Sequence, residues 1–403
     1  MHVPASLESA AVIDFDTSHA VVNEQAGRTI NVVHLATRLT LAGVGNVVAS
    51  LLRGMPAQSY RSSVWCLEEA DVVGEDLRAE GHYLVELRKR HRRDIVLFFR
   101  LATLIRKEHV DILHCHDELS WFYGAIGARL AGMERILFTV HGRRFDTSRR
   151  HCWEQSVLGR LSTAVVCVSS SLRRQMIDEI GIPDVKAIVI RNGAPMEALT
   201  SQISQRQRVR QALRIPESAI LIGSIGRLDP VKNLDLLLEA SAAAARIIPS
   251  LKILLAGEGP SKQELIEKTA ELAIENRVSF LGLRKDVSDL LSAIDLYVCS
   301  SDREGISLSI LEAMAAERAI IATAVGGNLE LVDHDRTGLL INRGDRDALV
   351  QAIITLSKNS RKRVELGREA RRFVQANFSV NRMLHDYDCL YQSITRSRSI
   401  DAT

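Results

Sequence analysis

The chain has 403 residues, 46% of them hydrophobic and 25% charged, which exceeds one compact core and predicts two or three domains of ordinary globular composition. With 52 basic residues against 49 acidic ones the net charge is +3, and aromatic residues make up only 4%. That balance excludes a polyanion-binding surface as the dominant feature, and the scarcity of aromatics argues against a base-stacking nucleic-acid groove.

Six cysteines, Cys66, Cys115, Cys152, Cys167, Cys299 and Cys389, include no C-x-x-C pair, the pattern of reduced thiols in a cytosolic protein. No apolar run reaches the length of a membrane-spanning helix. Residues 1–27 carry Asp14, Asp16 and Glu24 and lack a basic segment beside an apolar core. They predict a flexible leader rather than a secretion signal.

Short apolar runs then alternate with longer amphipathic ones. Residues 29–35 read as the first strand, followed by the glycine-bearing loop Ala42-Gly43-Val44-Gly45 and a helix through Leu52. Further strands are expected at 61–66, 112–115, 136–140, 164–168 and 187–190, with helices between them, notably 94–107 and 121–131. Such βαβ alternation implies a parallel sheet covered on both faces. It stops on the turn residues Asn192-Gly193-Ala194-Pro195.

A polar helical stretch, 202–213, precedes a second alternation with strands at 220–225, 252–256, 278–281, 296–300, 319–323 and 338–341. Two doubly wound α/β domains follow, 28–195 and 196–379, with a ligand cleft expected between them. The segment 380–403 opens with a helix that is a candidate for packing back on the first domain.

The chemistry concentrates at predicted strand ends. Glu304-Gly305-Ile306-Ser307-Leu308-Ser309-Ile310-Leu311-Glu312 follows a buried strand and runs into a helix. Ser307 is the expected N-cap, Glu304 falls in the loop, and Glu312 lies more than a turn inside the helix. In open α/β sheets that loop borders the ligand crevice, and free amides at a helix start suit phosphate. Gly226-Arg227-Leu228-Asp229-Pro230-Val231-Lys232-Asn233 places two cations five residues apart, a spacing that suits a diphosphate or a solvated loop. Gly257-Glu258-Gly259-Pro260 and Gly326-Gly327 end further strands, where glycine lets backbone approach a ligand or simply turn. Gly43-Val44-Gly45 lacks the full dinucleotide fingerprint.

His141 ends a strand beside Gly142, a place where a histidine is as often functional as structural. His114 and His116 share one strand face while Cys115 points to the other, and no further ligand set stands at metal spacing, so no metal site is expected. The basic run 88–93, from Arg88 to Arg93, precedes an apolar helix. Together they suit an anionic membrane surface or an anionic acceptor, or else a solvated loop before a core helix.

Over roughly residues 30–390 these pieces resemble the retaining glycosyltransferases of family 4. The resemblance rests on Glu304…Glu312 with its Glu-Ala-Met-Ala continuation, and on Gly226-Arg227-Leu228…Lys232-Asn233. Gly257-Glu258-Gly259-Pro260, Val325-Gly326-Gly327…Glu330, Thr337-Gly338-Leu339, Val189-Ile190-Arg191-Asn192-Gly193 and Thr139-Val140-His141-Gly142 keep the family's order.

It implies a GT-B fold, two Rossmann-like domains with the nucleotide sugar bound by the second, and a metal-independent hexosyltransferase using a UDP- or GDP-linked sugar. Arg227 and Lys232 would neutralise the departing diphosphate, Glu304 would hold the sugar's hydroxyls, and Glu312 the ribose. His141 would lie beside the sugar. Gly43, Gly45, Gly226, Gly257 and the segment Gly305, Ile306, Ser307, Leu308 would line the donor. The acceptor would be a glycan or a lipid-linked molecule of cell-surface polysaccharide or glycolipid synthesis, met in the cytoplasm at the inner face of the membrane. In this reading the two glutamates are donor-binding groups, not the acid and nucleophile of a glycosidase.

Two departures stand out: Gly45 replaces an acidic residue, and Ala316-Glu317-Arg318-Ala319 replaces Cys-Gly-x-Pro. The alternatives on the same fold are a nucleotide-sugar epimerase or phosphorylase, and a non-catalytic sugar-nucleotide sensor.

Overall fold

The computed structural model describes residues 28–41, 43–91, 94–142, 148–196 and 203–396. The expected leader, Ala42 of the first glycine loop, Arg92 and Arg93 of the basic run, residue 202 and residues 397–403 lie outside the described residues. The chain divides into two compact units, Met1–Arg191 with Met383–Thr403, and Asn192–Arg382.

The first unit is built on seven parallel strands: β1 (Ile30–Ala36), β2 (Tyr60–Cys66), β3 (Leu84–Glu86), β4 (Ile112–Cys115), β5 (Ile136–Val140), β6 (Ala164–Cys167) and β7 (Ala187–Val189). Their order is β3-β2-β1-β4-β5-β6-β7. Every residue of β4, β5 and β6 is buried, which is why these strands appear in the sequence as short apolar runs interrupted only by His114 and Thr139. The exception is β3. It lies at the sheet edge, spans three half-buried residues and carries too short a pattern to be read.

Helix Val380–Arg396 buries Met383, Tyr387, Leu390, Tyr391 and Ile394, and from Met383 onward it is part of this unit. Tyr391 Oη lies 2.7 Å from His114 Nδ1, and Tyr387 Oη lies 3.0 Å from Thr139 Oγ1. Its last turns thus complete the polar interior beneath β4 and β5. The division falls at Arg191, a few residues before 195, because the next residues pair elsewhere. Ala194 bridges Ser379, and its amide donates to Phe378 O at 2.8 Å.

The second unit has six parallel strands, β8 (Leu221–Ile225), β9 (Lys252–Ala256), β10 (Val278–Phe280), β11 (Leu296–Cys299), β12 (Ala319–Thr323) and β13 (Leu339–Ile341), in the order β10-β9-β8-β11-β12-β13. Leu237, Leu251, Leu296, Val298, Ile321, Leu349 and Ile353 belong to a core packed against this sheet.

Helix Ile203–Ala212 is polar, yet it is fastened by charge. Arg210, fully buried, donates to Ala293 O at 2.9 Å and Asp295 Oδ2 at 3.2 Å, while Arg206 reaches Asp295 Oδ1 at 2.8 Å. Asp295 Oδ2 also accepts from the Leu221 amide at the start of β8. A helix with so little apolar surface holds its place because these buried donors and acceptors are matched.

Candidate active site

The strand order of the second sheet reverses between β8 and β11. At such a switch point the following loops leave in opposite directions and open a crevice at the carboxyl ends of the strands. The loop after β8 supplies Gly226, Arg227 and Lys232; the loop after β11 supplies Ser300, Ser301 and Glu304. Together with Tyr297 and Ser309 these residues line one hollow. Far apart in sequence, these residues are brought together by the topology.

Within the hollow, Lys232 Nζ donates to Glu304 Oε1 at 2.6 Å, and Ser301 Oγ donates to the same oxygen at 2.6 Å. Burial pulls the Lys232 ammonium toward deprotonation, but the Glu304 charge and hydrogen bond outweigh it and hold its pKa above the usual lysine range. Arg227 is mostly exposed, with Nη2 2.8 Å from Asp229 Oδ2. At one edge of the switch point Lys232 is thus pinned while Arg227 reaches into solvent.

The backbone fixes these positions. Asn233 adopts a left-handed conformation, φ 45°, so that its side chain caps helix Leu234–Ala245 while Nδ2 donates to Asp302 Oδ1 at 3.2 Å. Ser300 Oγ donates to Lys232 O at 3.0 Å, and the Asp302 amide donates to Val231 O at 2.8 Å. The two loops are thus stitched to each other on both sides of the Lys232–Glu304 pair.

Ser307 caps helix Leu308–Ala315, its Oγ accepting from the Ile310 amide at 3.3 Å. Glu312, the fifth residue of that helix, is half-buried, and burial raises its carboxyl pKa from 4.5 to about 7. No hydrogen-bond partner of its side chain is seen among the described residues. A carboxylate desolvated without a partner is a common mark of a ligand site.

The glycines have a different part from the one their positions suggest. A Cβ on Gly257 would meet Gly226 O at 1.9 Å, and one on Gly259 would meet Leu228 O at 2.2 Å. Cβ atoms on Gly326 and Gly327 would meet Glu304 O and Gly305 O at 2.0 and 1.7 Å. The close approach that these residues permit is therefore to neighbouring backbone, and it seats the Arg227 and Glu304 loops. Gly45 does the same in the first unit, where a Cβ would meet Thr40 O at 2.1 Å. Gly226 is held at φ 149° with open space before its Cα, so it keeps free the surface beside Arg227. Gly43 opens helix Gly43–Gly54 and is exposed.

His141 lies in the first unit, just past β5, at the end of a row of histidines. His34 Nδ1 is 3.0 Å from His116 Nε2, and His116 Nδ1 is 3.3 Å from His141 Nε2. Reading the sequence missed His34 and gave His116 no part; the parallel register that sets His34 beside His114 was the available signal. His34, His114 and His116 converge closely enough to be considered as metal ligands. However, both nitrogens of His114 are already engaged, Nδ1 with Tyr391 and Nε2 with Thr139 at 2.7 Å each, and among the described residues no carboxylate joins the group.

The helix after the basic run, Ile95–Lys107, buries Leu97, Leu101, Ala102 and Ile105 and is capped by Asp94. Its other face leaves Ile95, Val96 and Phe99 66%, 64% and 60% exposed. It is therefore a core helix on one side and an apolar surface on the other, beside exposed Arg88, Arg90 and Arg100.

Comparison with known proteins agrees with this architecture. The family profile described as Glycosyltransferase Family 4 matches residues 41–198, and that described as Glycosyl transferases group 1 matches residues 205–373. The chain is 26% identical over 362 residues to the UDP-Gal:alpha-D-GlcNAc-diphosphoundecaprenol alpha-1,3-galactosyltransferase of Escherichia coli, covering 84% of this chain and 93% of that protein. It is 27% identical over 317 residues to the N-acetyl-alpha-D-glucosaminyl L-malate synthase of Bacillus anthracis, covering 75% and 80%. Among solved structures, Anabaena HepE in complex with UDP-glucose superimposes with a TM-score of 0.81 at 22% identity, covering 90% of this chain and all of that one. The two profiles fall in order on the two Rossmann-like units, so the chain belongs to the family 4, group 1 glycosyltransferases of GT-B fold.

Proposed function

We propose that the protein is a retaining, metal-independent hexosyltransferase that moves a sugar from a nucleoside diphosphate to a lipid-linked or glycan acceptor. The observation that carries this reading is the Lys232–Glu304 pair at the switch point of the second sheet, with Arg227 beside it. Cations fixed before the reaction begins stabilise charge as it develops on a leaving diphosphate, without reorganisation at the moment of bond breaking. Glu304, oriented by Lys232 and Ser301, accepts hydrogen bonds from the sugar's hydroxyls. Glu312 holds the ribose. The amides from Gly305 to Leu308, at the start of a capped helix, receive phosphate or sugar oxygens.

In this reading neither glutamate attacks the anomeric carbon. The acceptor hydroxyl approaches the face from which the diphosphate departs, and the departing phosphate takes its proton. Arg227 and Lys232 supply the countercharge that a metal ion provides elsewhere. His141 acts on the sugar, and Gly43 supplies backbone at the donor.

The two relatives use different acceptors by name, a diphosphoundecaprenol-linked sugar and malate. The exposed Ile95, Val96 and Phe99 beside basic residues favour the lipid-linked class here, with the protein working on the cytoplasmic face of a membrane. No helix among the described residues is long and apolar enough to cross one.

A thermal-shift screen against UDP- and GDP-sugars tests the donor class, because a ligand that binds only the folded protein raises its melting temperature. Product formed with the donor's anomeric configuration, in the presence of a chelator, supports retention and metal independence. An inverted product or complete loss of transfer on chelation overturns them. Failure of every nucleotide sugar to stabilise the protein favours a different role for the fold.

A further inference from the structure

The row His34–His116–His141 is a chain of three imidazoles with a defined direction. A neutral imidazole has one N–H and one bare nitrogen, so the bond made by one nitrogen decides the state of the other. Two arrangements satisfy both His–His contacts. In one, His34 Nδ1 donates to His116 Nε2 and His116 Nδ1 donates to His141 Nε2, leaving a proton on His141 Nδ1. In the other, every bond is reversed, and the outlying proton sits on His34 Nε2.

The ends of the chain distinguish them. His34 Nε2 and His141 Nδ1 are both buried atoms without a partner among the described residues. His34 stands within β1, completely buried. A proton on its Nε2 would be an orphaned donor inside the sheet, which folded proteins rarely tolerate, whereas a bare nitrogen there is less costly. His141 stands past the end of β5 and is half-buried as a residue where His34 is completely covered, so an N–H on its covered Nδ1 can be satisfied when a ligand oxygen arrives.

The chain is also uncharged. Burial carries His34 down to about 3 and His141 to about 4, and it lowers His116 well below its ordinary value, with the neighbouring histidines adding to the effect. His114 packs against the row, its ring 5.4 Å from that of His34 and 4.0 Å from that of His116, and its two nitrogens are engaged by the neutral hydroxyls of Tyr391 and Thr139.

We infer that His34 and His116 are positioning residues that hold His141 in the tautomer with its proton on Nδ1, so that His141 meets its substrate as a hydrogen-bond donor and not as a base. The inference rests on the reading of His141 as a residue that faces the donor sugar. It identifies the recognised group as an acceptor oxygen of the sugar or of its phosphate.

Long-range 1H–15N correlation spectra of the full chain labelled at histidine test it, with the His141 signals assigned by their loss in H141N. The expected result is a proton-bearing shift at Nδ1 and a bare shift at Nε2. The opposite pattern overturns the inference whatever the activity shows.

In H34L the far end of the chain is lost, so the His141 nitrogens should average between tautomers and the turnover number should fall roughly threefold or more, with KM for the donor changing less. H34N, whose amide can again donate to His116, should restore both. Unchanged His141 shifts in a folded H34L protein would show that the row sets nothing. Transfer undiminished in H141N would instead remove His141 from the reaction and leave the tautomer measurement standing by itself.

Discussion

Lys232 Nζ lies 2.6 Å from Glu304 Oε1, joining the loops after β8 and β11 through one ion pair. The lysine intended for a diphosphate is therefore already neutralised in part, by the residue intended for the sugar. Removing the glutamate should separate these functions. Glu304→Ala is expected to lower kcat/KM by about tenfold or more while leaving nucleoside diphosphate binding no weaker, since the freed ammonium gains access to phosphate. Steady-state kinetics beside calorimetry with UDP and GDP check this, and unchanged turnover would remove Glu304 from the site.

The cations should behave in the opposite manner. Arg227→Ala and Lys232→Ala remove charge that meets the diphosphate, so nucleoside diphosphate affinity should fall by roughly tenfold in either variant. Salt should mask the Arg227 effect more than the Lys232 effect, because the guanidinium is exposed and the ammonium is sheltered. Calorimetry at two ionic strengths makes the comparison.

Glu312 gives a pH dependence whose sign can be stated. Its folded pKa of about 7 lies above its value of 4.5 when unperturbed. The unfolded chain loses this proton first, so the stability that Glu312 contributes is fully present below 4.5 and is lost as pH rises through 7. Ribose hydroxyls donate best to the ionised form, so nucleotide affinity should increase over the upper part of the same interval. Glu312→Gln should flatten both profiles, as measured by denaturant titration and by nucleotide binding from pH 5 to pH 8.

Asp295→Ala leaves buried Arg210 only the more distant Glu217 carboxylate, 3.8 Å from its Nε, and removes the acceptor for the Leu221 amide. Removing one partner of a buried ion pair typically costs about 3–5 kcal/mol. Chemical denaturation should show a loss of that order. A change within ordinary surface variation would mean that the contacts to Glu217, Asp289 and the carbonyls suffice to hold helix Ile203–Ala212.

Ile95→Glu with Phe99→Glu should reduce binding to anionic vesicles without loss of stability, because both side chains already face solvent. Vesicle co-sedimentation measures the first and thermal unfolding the second. Equal sedimentation of the variant and the parent protein would exclude this face as a membrane contact.

Strands of the sheet interiors were legible because burial on both faces leaves mostly apolar residues, whereas β3, three half-buried residues at an edge, leaves no pattern. The Ser307 cap was legible because it is local. The Lys232–Glu304 contact was not, since it arises from the reversal of strand order between β8 and β11. Glycine in the sequence announced that something comes close to Gly257 and Gly327 but could not say what, and the neighbour is peptide backbone. His116 offered nitrogen atoms whose use depends on strands β1 and β5 being set beside β4.

The helix that supplies Tyr387 and Tyr391 has a consequence for how the chain is made. A ribosome releases the seven strands of the first unit well before it releases the helix Val380–Arg396, and nearly all of the second unit, Asn192–Arg382, emerges in between. Until that helix appears, His114 lacks its tyrosine partner and the apolar surface awaiting Met383, Leu390 and Ile394 is uncovered. The unit begun first on the ribosome is thus among the last to finish folding, and its exposed face during synthesis is where chaperone binding or aggregation should concentrate.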